Sequence, residues 1–381
     1  MFRWKTVWGG GALAVLALGC SESAGPEGNA LRPAELAGAA GTGIVLDQSA
    51  GVAGETCIEI GQGFNPTNPH RGDAIIATFF WAGSTNTITK VFDHLSDADD
   101  AAATVVGNTY TLVEYVTAGG ISMATYVATN VQNFPDPNPD DRTVLNVDAV
   151  FADTVTHAGV VLTAWTGVGA VTAQALGEHR SASGSDPTIS LVGPGSISTG
   201  AGALAYAVTM ANGLVGRDPP AGFTPIGIGA DDIIVIENDF AVQTANGSVD
   251  PKWNWAFDPN TPTTWLSSVL ALNPSLHLAF TVQPSTTLPL VAIRPPVQVT
   301  VLDAQGNQAT TFNGPVTITI GRNGGILMPG KLSGTVTVSA VDGVAVFSDL
   351  SIDQLGNGYT LKASAVSVSG AESARFNIGV F

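Results

Sequence analysis

The chain has 381 residues, with 31 Asp and Glu against 14 Lys and Arg, a net charge of −17. Such an acidic balance excludes a nucleic-acid binder, which needs a basic face for phosphates. With only two cysteines there is no disulfide framework, and the 45% hydrophobic share must supply the cores. Charged residues are 12% and Gly numbers 45, so strong helix formers are scarce. Val, Thr, Ile and Gly favour strands joined by tight turns. The composition predicts an all-β chain.

At the N-terminus Arg3 and Lys5 precede an apolar run from Thr6 to Leu18. The run falls short of the roughly 20 residues of a membrane-spanning helix and has the shape of a secretory signal. It ends in Ala17-Leu18-Gly19-Cys20. That ending resembles the lipobox of bacterial lipoproteins. The resemblance implies a signal peptide over 1–19, lipid attachment at Cys20, and a place in the cell envelope. Ser21 is similar to the residue that sends such proteins to the outer membrane. Several acyl chains on one residue make a stable anchor, whereas one is marginal. Residues 20–40 are small and polar, with Pro26 and Pro33, and read as a flexible tether. With Cys20 lipidated, Cys57 has no disulfide partner. It sits in the alternating Glu-Thr-Cys-Ile-Glu-Ile and reads as a small buried hydrophobe.

Residues 41–275 carry the charge, with 23 acids and 6 bases between Ala40 and Ser275. Runs rich in Val, Ile, Thr and aromatics recur, bounded by Gly, Pro, Asn or Asp. Asp73–Trp81, Asn86–Phe92, Thr109–Val116, Ser122–Asn130, Thr143–Phe151 and His157–Trp165 come first. Ala201–Met210, Ile233–Gln243, Lys252–Phe257 and Trp265–Leu272 follow. So many short runs predict a large antiparallel β-sandwich with helices minor. Three pieces, Arg71-Gly-Asp-Ala-Ile-Ile-Ala, Gly107-Asn-Thr-Tyr-Thr-Leu and Trp265-Leu-Ser-Ser-Val-Leu-Ala-Leu, resemble exported bacterial domains of jelly-roll or concanavalin-like form. The resemblance implies a fold and no reaction.

Asn273-Pro274-Ser275 marks a boundary. Residues 276–381 hold 5 acids and 5 bases, and the alternation becomes cleaner. Val297, Val299 and Val301, then Val316, Ile318 and Ile320, fall on single faces. About seven strands in about 105 residues is an immunoglobulin-like count. The wording Val-Thr-Val-Leu-Asp-Ala-Gln-Gly-Asn307 and Gly343-Val-Ala-Val-Phe-Ser-Asp-Leu-Ser-Ile-Asp353 resembles bacterial Ig-like repeats of surface and adhesin-type proteins. Tyr359 then stands where a tyrosine corner would bond back to backbone.

No His-Glu-x-x-His, Gly-x-Ser-x-Gly, P-loop or Gly-x-Gly-x-x-Gly occurs, and the five histidines are widely separated. Asp136, Asn138 and Asp140 place oxygens at alternate positions, as calcium loops do, or form a solvated Pro/Asp loop. Trp253, Trp255 and Phe257 share one face of a strand. Exposed, that face would stack on sugar rings; buried, it would be core. Arg71-Gly72-Asp73 reads as a turn into a strand. The expectation is an anchored binding, adhesion or structural protein, with a polysaccharide or surface protein as partner. A carbohydrate-active enzyme using the large sandwich, or a subunit of an envelope assembly, is the alternative.

Overall fold

The computed structural model describes residues 44–65, 67–83, 85–96, 104–135, 143–185, 191–213, 216–256, 263–303, 306–366 and 368–379. Their regular structure is almost all strand, with one helical turn at Thr172–Ala175. Strands β1 (Val45–Gly63), β2 (Ala74–Ala82), β3 (Ile88–Ser96), β4 (Thr104–Val105), β5 (Thr111–Ala118), β6 (Ile121–Ala128) and β7 (Val144–Thr166) form one antiparallel sheet. The long β1 and β7 pair along most of their length. The C-terminal half of β7 also pairs with β2, and its N-terminal half with β3. The ribbon bends between these halves, where the register slips and His157 has φ of 50°. The sheet therefore curls on itself. Ile60, Leu145 and Val147 from one half meet Ile75, Phe79, Trp81 and Ala124 from the other in a single buried cluster.

The next hundred residues repeat this plan. Strands β8 (Leu176–Gly184), β9 (Leu191–Val192), β10 (Ile197–Thr199), β11 (Leu204–Ala211), β12 (Gly216–Asp218), β13 (Thr224–Ala230), β14 (Val235–Val242), β15 (Gly247–Val249), β16 (Trp253–Ala256) and β17 (Trp265–Leu272) follow. The first unit runs β5-β6-β2-β7-β1 across its inner sheet and the second β13-β14-β11-β17-β8. The outer layers, β4-β3-β7-β1 and β12-β16-β9, correspond in the same way. Even the turn before the central strand is shared. Gly72 N donates to Val131 O and Asp73 N to His70 O; Gly202 N donates to Gln243 O and Ala203 N to Gly200 O. Gly72 and Gly202 both have positive φ, 94° and 78°, which glycine takes at little cost.

The two units stack back to back. Ala74, Ile76 and Phe80 of β2 and Leu204, Tyr206, Val208 and Met210 of β11 face one another in a shared core. Side chains of opposite parity fill the separate core of each unit. Each large aliphatic side chain so buried is worth about 1.5–3 kcal/mol. All-β sandwich architecture is thus as expected; the region is built as two small sandwiches sharing a wall. Cys57 is buried in the first core.

Strand pairing restarts after Ser275. β18 (Leu276–Val282), β19 (Val297–Asp303), β20 (Pro315–Ile320), β21 (Leu332–Ser333), β22 (Thr337–Ser339), β23 (Val344–Phe347), β24 (Ser351–Ile352), β25 (Gly356–Tyr359), β26 (Leu361–Ala365), β27 (Val368–Glu372) and β28 (Phe376–Ile378) pair among themselves around their own core. β18 meets β27 in parallel, while the other pairs are antiparallel. The Tyr359 hydroxyl donates to Gln354 O at 3.0 Å, which is the corner bond its position suggested.

Candidate functional site

The outer layer of the first sandwich presents a polar face. In β3 the odd positions Val91 and Leu95 pack on the core, which turns Lys90, Phe92 and His94 outward. In β7, Leu145, Val147 and Ala149 point inward and Asn146 and Asp148 outward. In β1, Ile60 points inward, leaving Glu59, Gly61 and Gly63 on the outer side. The register sets Phe92 opposite Asp148 and His94 opposite Asn146. Across the other edge of β7, Gly61 lies opposite Asp148 and Gly63 opposite Asn146.

His94 Nδ1 stands 2.7 Å from Asp148 Oδ2, and both side chains are buried. The contact sets the imidazole beside the carboxylate at ion-pair distance. The Asp148 carboxylate lies over the bare backbone of β1. A Cβ on Gly61 would come within 1.8 Å of Asp148 Oδ1, and one on Gly63 within 2.6 Å of Asn146 Oδ1. The two glycines therefore make the space these polar groups occupy. Burial raises the Glu59 carboxyl above its ordinary range, and the Asp148 charge adds to the rise; His94 and Lys90 partly offset it. Lys90 Nζ sits 4.1 Å from the Phe92 ring centroid. One face thus gathers a carboxyl with a raised pKa, a carboxyl group beside an imidazole, an amide, a cation and a ring.

Beneath this face Asp93 ties down the approach to β5. It accepts from Gly107 N at 2.9 Å, Asn108 N at 3.1 Å and Asn108 Nδ2 at 2.6 Å, with Tyr110 OH at 3.4 Å. Burial, reinforced by the Asp93 charge, holds the Tyr110 hydroxyl well above its usual pKa. The Gly107-Asn-Thr-Tyr110 piece is therefore the strap that leads into the β5–β6 hairpin.

The tryptophan row takes the second of its two readings. Trp253 and Trp255 are 0% and 1% exposed, in the core of the second sandwich. Trp253 Nε1 donates to Asp239 Oδ2 at 2.8 Å. Their alternation stands, but the β11 and β17 side chains Ala207, Val269 and Ala271 cover the face, so no ring is open to a sugar. Asp136, Asn138 and Asp140, like Cys20, the 1–19 signal and the 20–40 tether, lie outside the described residues. Arg71 and Gly72 form the expected turn, and Asp73 is buried.

Two other clusters bring histidine to carboxylates. His70 Nδ1 is 3.0 Å from Asp47 Oδ2, and His70 N donates to both Asp47 and Asp73 Oδ2. His157 Nδ1 is 3.0 Å from Asp231 Oδ2 and 3.5 Å from Asp232 Oδ1. In each trio the ligand atoms lie within 4.8 Å of one another. Calcium takes six to eight oxygens, so one imidazole and two carboxylates suit it poorly. Their carboxylates already accept turn N–H groups, including Ile233 N and Ile234 N at Asp231. A cleft of about 1190 Å³ opens between the paired sandwiches and the C-terminal one, walled by Leu46, Phe240, Val242, Leu276 and Phe312. Its one acid among the described residues, Asp303, accepts from Asn307 N. Convergent chemistry therefore sits on the outer face of the first sandwich. No family model matches the chain, and no curated protein matches it.

Proposed function

We propose that this is an exported lipoprotein, held to the envelope through Cys20, that binds a hydroxyl-rich ligand on the outer face of its first sandwich. The observation that carries the binding reading is the convergence of Glu59, His94, Asn146 and Asp148, backed by Gly61 and Gly63, on one face. Glu59, Lys90 and Phe92 are the members of this face that reach solvent, and the buried His94, Asn146 and Asp148 hold them in place from behind, so a ligand would meet a carboxyl, an ammonium and a ring. Phe92 adds a ring and Lys90 a charge beside it. The anchor reading rests on the order of basic start, apolar run and Gly19-Cys20. Labelling with a fatty-acid analogue tests it: wild type takes the label and Cys20→Ala does not. An unlabelled wild type would end that reading.

A second reading has its own support. Glu59 and Asp148 lie on paired strands, and the environment pushes the Glu59 carboxyl upward while an imidazole braces Asp148. A carboxyl with a raised pKa beside a second carboxylate is the pattern of glycoside hydrolysis. Release of reducing ends from a polysaccharide, lost in both Glu59→Gln and Asp148→Asn, would favour this enzyme over the binder. Binding without turnover favours the first reading.

A further inference from the structure

The C-terminal sandwich holds a finger of apolar side chains out into solvent. Ile326, Leu327 and Met328 are 61%, 91% and 64% exposed, between Gly324-Gly325 and Pro329-Gly330. A slack loop would fold such residues back, because apolar surface leaves water favourably. This one is clasped. Asn323 Nδ2 donates to Gly330 O at 2.8 Å, and Asn323 Oδ1 accepts from Gly330 N and Gly325 N. Ile326 N donates to Leu355 O, and Asn357 N to Gly324 O, bracing one flank. Leu355 and Leu290 extend the patch at 54% and 73% exposure, with Leu290 N bonded to Ile352 O.

The finger follows β20, whose last residue Ile320 pairs with Leu361, the first of β26. The opposite ends of these strands face the cleft, through Phe312, just before β20, and Val366, just after β26. The patch therefore lies at the pole away from the paired sandwiches. Cations stand near its base. A Cβ on Gly358 would meet both Arg322 and Arg375, and Lys331 follows the finger directly; Asp349, Asp353 and Glu372 lie on the same segments. Those three acids already accept from Thr335, Lys331 and Thr360.

We propose that this pole docks on a lipid bilayer. Three consecutive apolar side chains held out on a clasped turn match the shallow insertion of apolar groups at the headgroup boundary. Arg322 and Lys331 flank the finger in sequence, where their charged heads can meet lipid phosphates while their stems cover apolar surface. The surface does not depend on the Cys20 anchor.

The test uses the chain from residue 20 onward, without the apolar signal, carrying Cys20→Ser, so that Cys57, buried in the core, is the only native thiol. Leu327→Cys and, as control, the exposed Ile228→Cys on β13 are labelled with an environment-sensitive fluorophore. Vesicles of phosphatidylcholine and phosphatidylglycerol, with and without brominated chains, are then added. Docking gives a blue shift at position 327, with quenching by brominated lipid at least threefold stronger than at position 228. Leu327→Asp should cut co-sedimentation with the same vesicles at least fivefold. Equal quenching at both positions, or none at 327, overturns the proposal. So does a blue shift that grows with protein concentration and needs no vesicles, since a second copy then covers the patch.

Discussion

Replacing Gly61 with Ala probes the polar face at its tightest point. Gly61 is not among the positive-φ glycines, so the backbone accepts alanine. The new Cβ would stand 1.8 Å from Asp148 Oδ1 and 2.7 Å from Cγ, well inside contact distance. The carboxylate must retreat by about 1.5 Å to reach an ordinary carbon–oxygen separation of about 3.3 Å. That retreat breaks the 2.7 Å contact with His94. Losing a buried contact with a charged group costs about 1.5–3 kcal/mol. Removing a glycine from the unfolded chain returns about 0.4–1 kcal/mol. The net is about 0.5–2.5 kcal/mol of destabilisation, or a midpoint lowered by roughly 1–10 °C for a unit of this size. Urea and thermal melts of Gly61→Ala, Asp148→Ala and the double variant close the cycle. In the Asp148→Ala background the added methyl meets nothing charged, so Gly61→Ala becomes neutral or stabilising. An equal cost in both backgrounds, or a stabilised single variant, refutes the arrangement.

Glu59→Gln should raise stability at neutral pH and lose that advantage in acid. The folded state lifts the Glu59 pKa, so the native protein binds more protons than the unfolded chain above about pH 4.3. Wild-type stability from this group is full below that value and falls as pH rises through the folded pKa; melts between pH 4 and 8 should show the difference growing with pH. Trp253→Ala should cost about 3–5 kcal/mol, because it opens a cavity and strands the Asp239 contact; a variant that melts like wild type contradicts the core placement. Tyr359→Phe should lose about 1 kcal/mol from the C-terminal sandwich alone, read as a shift of one transition in calorimetry while the other stays fixed.

Strands buried on both faces were the legible part of the fold. Ala74–Ala82 and Trp265–Leu272 are near-continuous apolar runs because a core lies on either side of each. The polar β8, Leu-Gly-Glu-His-Arg-Ser-Ala-Ser-Gly, lies at a sheet edge and gives no such run. The Thr143–Phe151 and His157–Trp165 runs are one strand, since a single left-handed residue bends a ribbon without ending it. The duplication leaves little trace in sequence. Over 72–83 and 202–213 only Gly72/Gly202, Ala77/Ala207 and Gly83/Gly213 coincide, because hydrophobicity and parity, not identity, specify the shared wall. Alternation put Trp253 and Trp255 on one face but could not say that another sheet covers it.

The polar face escaped detection for a related reason. Glu59, His94 and Asp148 come from three strands far apart in the chain, and each is an ordinary polar residue in its own alternating strand. The one local signal is Glu59-Ile-Gly-Gln-Gly63, where two glycines interrupt a strand. Glycine there marks a place where something approaches the backbone closely, and here it is the Asp148 and Asn146 side chains.

The central claim is that the outer face of the first sandwich is a ligand surface. A polysaccharide and glycan array, probed side by side with wild type, His94→Ala and Asp148→Ala at a temperature where all three are folded, tests it most directly. The expected result is retention of wild type on at least one class of glycan and at least a tenfold loss in both variants. Retention of all three alike, or of none, would contradict it.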